Sequence, residues 1–123
     1  MTLEELYREI GEDYETALKV LRVEKLVDKH IRRFPGNGLI EGLLAAGEEM
    51  EPTQMFETAH AVKGNCGNLG LIQLYEAASV ITEEFRPGNE RKMSDGEVRE
   101  KLEEIRTLYG KTVDVIKRYE TEN

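Results

Sequence analysis

The string HAVKGNCGNLG, residues 60–70, gathers the residues of this chain best suited to chemistry: a histidine, a lysine three positions on, the one cysteine and three glycines. A neutral imidazole is a nucleophile near pH 7 and needs no separate base. Each glycine inside a helix costs roughly 1 kcal/mol relative to alanine, so the glycines call for a reason. At about 100° per residue, Met55, Ala59, Val62, Cys66 and Leu69 fall in an arc of roughly 80° centred about 140° from His60. Phe56, Lys63, Gly64 and Gly67 lie within about 60° of His60 instead. The histidine thus stands off the apolar stripe, with glycines on its own face. A flat, uncrowded surface lets another protein approach a projecting nucleophile closely.

Plainer readings compete at each residue. A lone histidine on a helix is usually a solvated or half-buried side chain, and glycines on a helix face often mark close packing against another helix. Gly67 separates the two views. Facing solvent, it has room for a methyl group, and alanine there gains roughly 0.5–1 kcal/mol of stability. Packed against a neighbour, alanine overfills the contact and costs about 1–3 kcal/mol. Cys66 lies on the core arc and reads as a small buried apolar residue without a base beside it. His30, beside Ile31, Arg32 and Arg33 with no glycine near, reads as structural or surface. No metal site is expected, since His60 and Cys66 are on different faces with no second histidine nearby. GNCGNLG is not a dinucleotide fingerprint, because no strand precedes it and the spacing differs.

The elements that position this string are helical nearly throughout. Thr2 and Glu5 have the spacing of a capping box, ahead of the stripe Leu3, Leu6, Tyr7 and Ile10. Gly11 stops that turn, and Asp13 caps a second short helix carrying Ala17, Leu18 and Leu21. Val23, Leu26, Val27, Ile31 and Phe34 give the next amphipathic face, broken by PGNG at 35–38. A short helix is expected from Leu39 to Ala46, and Pro52 opens the helix that runs to Asn68. Gly70 is read as a bend rather than a full stop, followed by the stripe Leu71, Leu74, Tyr75, Ala78, Ile81 and Phe85. RPGNERKMSDG, 86–96, is the clearest loop. Ser94 and Glu97 form a second capping box before the last helix, with Val98, Leu102, Ile105, Tyr109, Val113 and Ile116 on its stripe. Nothing alternates as a strand does. Short connections between amphipathic helices predict an all-α antiparallel bundle.

The 123 residues suit one domain, 1–123, and 39% hydrophobic with 34% charged residues is ordinary for a globular chain. A net charge of −8 disfavours a general nucleic-acid binder. No apolar run spans a bilayer, MTLEELYREI lacks the marks of a signal peptide, and a single cysteine suits a reducing cytoplasm. The acidic stretches are most simply a solvated surface.

At His60-Ala61-Val62-Lys63-Gly64-Asn65-Cys66-Gly67-Asn68-Leu69-Gly70 the chain resembles the histidine-containing phosphotransfer (HPt) family: a histidine, two residues, Lys-Gly, small residues and a later Leu-Gly. Asn65 departs from the family's usual serine or alanine. The resemblance implies a four-helix bundle, here with additional short N-terminal helices. It implies that His60 is the phosphoacceptor, that Lys63 stabilises charge, and that Phe56, Gly64 and Gly67 lie under a docked partner. The implied partners are response-regulator receiver domains and a hybrid histidine kinase, with no cofactor of its own and Mg²⁺ on the receiver. A monomeric phosphocarrier without kinase or nucleotide-binding motifs is the expectation. Two alternatives stay open: an HPt-like module that docks a partner without being phosphorylated, and a plain helical interaction protein whose glycines serve internal packing.

Overall fold

The computed structural model describes residues 1–122. Within them the chain forms seven α-helices and one short 3-10 turn, with no strand. The first three helices are short: α1 (Leu3–Ile10), α2 (Tyr14–Leu21) and α3 (Glu24–Arg33). Local signals set their starts. Thr2 Oγ1 accepts from the Glu5 amide at 3.1 Å while Glu5 accepts from the Thr2 amide at 3.2 Å, completing the capping box. Asp13 accepts from the Thr16 amide at the start of α2. A 3-10 turn (Phe34–Gly36) leads into α4 (Leu39–Glu49), followed by α5 (Pro52–Asn68), α6 (Ile72–Glu84) and α7 (Asp95–Glu122).

The last four helices close a ring. α4 packs on α5, α5 on α6, α6 on α7, and α7 returns to α4. This is the four-helix bundle, and the three N-terminal helices are additional to it. Where α4 meets α7, a Cβ on Gly47 would lie 2.4 Å from Leu102 Cδ1, so the glycine lets the two helices close up. The 28 residues of α7 far exceed the 11 of α4, leaving its second half beyond the bundle. α1 and α3 cover that half, burying Val115, Ile116 and Tyr119. Polar contacts ring the cover: Tyr119 Oη donates to Asp28 at 2.5 Å, the Arg32 guanidinium lies 4.8 Å from the Tyr119 ring centre, and Arg118 pairs with Glu9. Buried residues from all seven helices form one cluster.

Three expectations need correction. Gly70 is a full stop, not a bend: α5 ends at Asn68, Gly70 has φ +68°, and α6 begins at Ile72. Its backbone also touches the α1–α2 connection, where an added Cβ would lie 2.2 Å from the Asp13 carbonyl oxygen. Tyr7 Oη donates to the Leu69 carbonyl at 2.6 Å and the Asp13 amide donates to the Gly70 carbonyl at 3.1 Å, clamping the turn from outside the bundle. Second, α4 runs on to Glu49, past Ala46, and ends on Met50 with φ +60°. Third, Val23 and Leu26 do not share the buried face of α3. They are 50% and 37% exposed, while Val27, Ile31 and Phe34 are buried.

The loop after α6 is tied down by a buried carboxylate. Glu84 accepts from the Lys92 and Met93 amides and from Arg91 Nε, all within 2.9–3.2 Å. Burial opposes its ionisation, but Arg91 and the two amides outweigh burial and hold the carboxyl below its ordinary value.

Candidate functional site

α5 is set in rotation by its apolar face. Glu51 caps its start, accepting from the Thr53 and Gln54 amides at 3.2 and 2.8 Å, with Pro52 in the first turn. Met55, Ala59, Val62 and Cys66 are then fully buried in the bundle. Burial pushes the Cys66 thiol up to about 12, with help from Glu12, so the residue is a protonated core side chain near neutral pH. The opposite face, Glu57, His60, Ala61, Gly64 and Asn68, is exposed.

His60 therefore projects into solvent from the middle of a long, well-anchored helix. Its ring centre lies 5.4 Å from that of half-buried Phe56, one turn earlier, with the planes inclined at 40°. That contact gives the imidazole an apolar wall on one side. A Cβ on Gly64 would meet nothing within 4 Å, so the next turn is open. Lys63 is half-buried, with its ammonium 5.9 Å from the centre of the Tyr75 ring. Its ammonium therefore stands on the α6 side of the face. On the α4 side, Asn65 Oδ1 accepts from Asn37 Nδ2 at 3.2 Å, and Asn37 Oδ1 accepts from the Leu39 amide. The asparagine that departs from the family pattern thus links α5 to the loop before α4.

Gly67 differs from Gly64. It is half-buried, and a Cβ there would lie 3.1 and 3.4 Å from two ring atoms of Tyr75. α6 folds back along α5 and lays the tyrosine over this glycine, so a methyl group there needs the Tyr75 ring to give by a few tenths of an ångström. Gly67 is partly covered by a neighbouring helix, while His60 and Gly64 are open.

The end of α6 and the loop that follows it bring residues to this face that sequence reasoning did not place there. The Arg86 guanidinium carbon lies 5.3 Å from the Phe56 ring centre, on a side chain that also pairs with Glu83 at 2.7 Å. Hydrogen bonds from Arg86 hold the Glu83 carboxyl below its ordinary value, and the charge of Lys63 adds to the effect. The signal lay in the register of the hairpin. The contacts Phe56 with Arg86 and Gly67 with Tyr75 share a midpoint at Leu71. A turn centred on Leu71, one residue past Gly70, sets Arg86 opposite Phe56.

His30 is exposed on α3, among the basic residues of its last turn. Among the described residues, no group of three or more His, Cys, Asp or Glu could hold a metal ion, and no helix is long and apolar enough to cross a membrane.

Neither the curated proteins nor the solved structures gave a match. The family model described as Hpt domain matches residues 2–109, from the capping threonine of α1 to the midpoint of α7, and takes in the bundle and the whole His60 face. The chain therefore belongs to the Hpt domain family, the phosphocarrier modules that exchange phosphoryl groups with response-regulator and kinase domains in histidine phosphorelays.

Proposed function

We propose that this protein carries a phosphoryl group on His60, to or from the aspartate of a response-regulator receiver domain. The observation that supports it best is the exposed imidazole set between the wall of Phe56 and the open turn at Gly64. A ring nitrogen attacks the phosphorus of a phosphoaspartate in line. The N–P bond forms, the P–O bond to the aspartate breaks, and the carboxylate leaves with its electron pair. Phosphoryl transfer depends mainly on positioning and charge neutralisation, so the carrier needs little besides the nucleophile and its approach. Lys63 supplies a positive charge beside the transferred group. The receiver brings the aspartate and Mg²⁺. Phe56 and Gly64 lie under the docked receiver, and Gly67 with its Tyr75 cover forms the edge of that surface. The protein works as a monomer in the cytoplasm, in keeping with its single buried cysteine.

The test is to incubate the protein with receiver domains charged by acetyl phosphate and score acid-labile phosphate. Label is expected on His60 and absent from His60→Gln. Label that persists on His30 or elsewhere in that variant overturns the assignment.

A further inference from the structure

The phosphocarrier reading accounts for His60, Lys63 and Gly64, but leaves the Glu83–Arg86 pair at the same face without a task. Arg86 is not a free surface side chain. Its Nε donates to both Glu83 oxygens at 3.1 Å, and its Nη2 donates to one of them at 2.7 Å. Its guanidinium also covers the Phe56 ring at 5.3 Å, and that ring lies 5.4 Å from the imidazole. The guanidinium and the imidazole therefore stand no further apart than those two legs laid end to end. Glu83 also feels the charge of Lys63.

Building on that reading, we infer that Glu83 is a positioning residue that competes with the phosphoryl group on His60 for the guanidinium of Arg86. The pair is exposed, 39% at Arg86 and 55% at Glu83, with Arg86 just past the end of α6, and an exposed ion pair of this kind is weak and exchangeable. A phosphorylated imidazole carries nearly two negative charges and three strong acceptor oxygens, against one charge on the carboxylate. Charge-assisted bonds from a guanidinium fork favour such a group. In the unphosphorylated protein Arg86 stays on Glu83 and covers Phe56. When His60 is phosphorylated, Arg86 turns from Glu83 to the phosphoryl oxygens, and Lys63 is already beside them. Glu83 thereby sets how firmly the carrier holds its load, and so how readily it gives it up.

The measurement is a ³¹P NMR titration of protein charged on His60 with phosphoramidate, the site being mapped first. A nearby cation favours the dianion, so more access to Arg86 lowers the proton affinity of the phosphoryl group. Glu83→Gln should lower that affinity about two- to fivefold, the scale of one exposed ionic contact. Arg86→Ala should raise it by a similar factor, and Arg86→Lys should restore part of the difference. The double variant Glu83→Gln/Arg86→Ala should titrate as Arg86→Ala alone. Wild type and Glu83→Gln titrating together would overturn the inference. So would a Glu83→Gln effect that survives in the Arg86→Ala background, since the carboxylate would then act by its own charge and not through Arg86. A wild-type protein that takes no phosphate on His60 defeats the phosphocarrier reading, and this inference with it. A wild type that is charged normally while the variants fail to differ defeats the inference alone.

Discussion

The exposed face of α5 and the turn at its end use glycine from one short string for opposite ends. At the turn, Gly70 has φ +68° and lies so close to the α1–α2 connection that a Cβ would meet the Asp13 carbonyl at 2.2 Å. On the face, Gly64 has ordinary helical geometry and open space around it. The first glycine brings backbones together. The second keeps side chains away from the histidine. Gly67 lies between them in sequence and in character, helical like Gly64 but covered by Tyr75. A motif read as one functional unit is physically three sites, and only part of its composition concerns a partner.

Alanine substitution sharpens this comparison, because one methyl group should give three different answers. Gly70→Ala should do the most damage. The left-handed backbone disfavours a Cβ by about 1–2 kcal/mol and overfilling against Asp13 adds about 1–3, for a loss of roughly 2–5 kcal/mol in urea unfolding. Stability within about 0.5 kcal/mol of wild type would mean the turn is not clamped. Gly67→Ala should be smaller. Its helical gain of roughly 1 kcal/mol is offset by crowding of Tyr75, giving a net change between zero and a loss of about 2 kcal/mol. A clear rise in melting temperature would restore Gly67 to the open surface. Gly64→Ala has the smallest expected effect and the opposite sign, a gain of roughly 0.5–1 kcal/mol seen as a higher melting temperature. Destabilisation there would show that the face is not open.

The chain's periodicity and caps made most of the fold legible. The Thr2–Glu5 and Ser94–Glu97 boxes formed as their spacing required, and the core arc of α5 buried Met55, Ala59, Val62 and Cys66. What stayed hidden depended on contacts between distant segments. Val23 and Leu26 read as apolar stripe, yet the short α2 and α3 leave them exposed at their junction. Whether Gly70 ends a helix depends on Asp13 and Tyr7, more than 50 residues earlier, and no local window contains that. The candidate site divides the same way. His60, Lys63, Phe56 and Gly64 share one helix face, so a 100° step per residue finds them. Tyr75 and Glu83 arrive from α6 and Arg86 from the loop after it, through the hairpin register, which became readable only once the turn was fixed.

The central claim is that the face around His60 is a docking surface that owes its function to being clear. Gly64→Leu tests it most directly, with phosphotransfer from a charged cognate receiver measured beside thermal unfolding of the same protein. No neighbouring atom lies within 4 Å of the position a Cβ would take, so the account predicts a folded protein with an unchanged or slightly higher melting temperature. Transfer should fall at least about tenfold, as expected when the reacting groups are kept from in-line contact. Transfer at the wild-type rate in a normally folded Gly64→Leu protein would contradict the account.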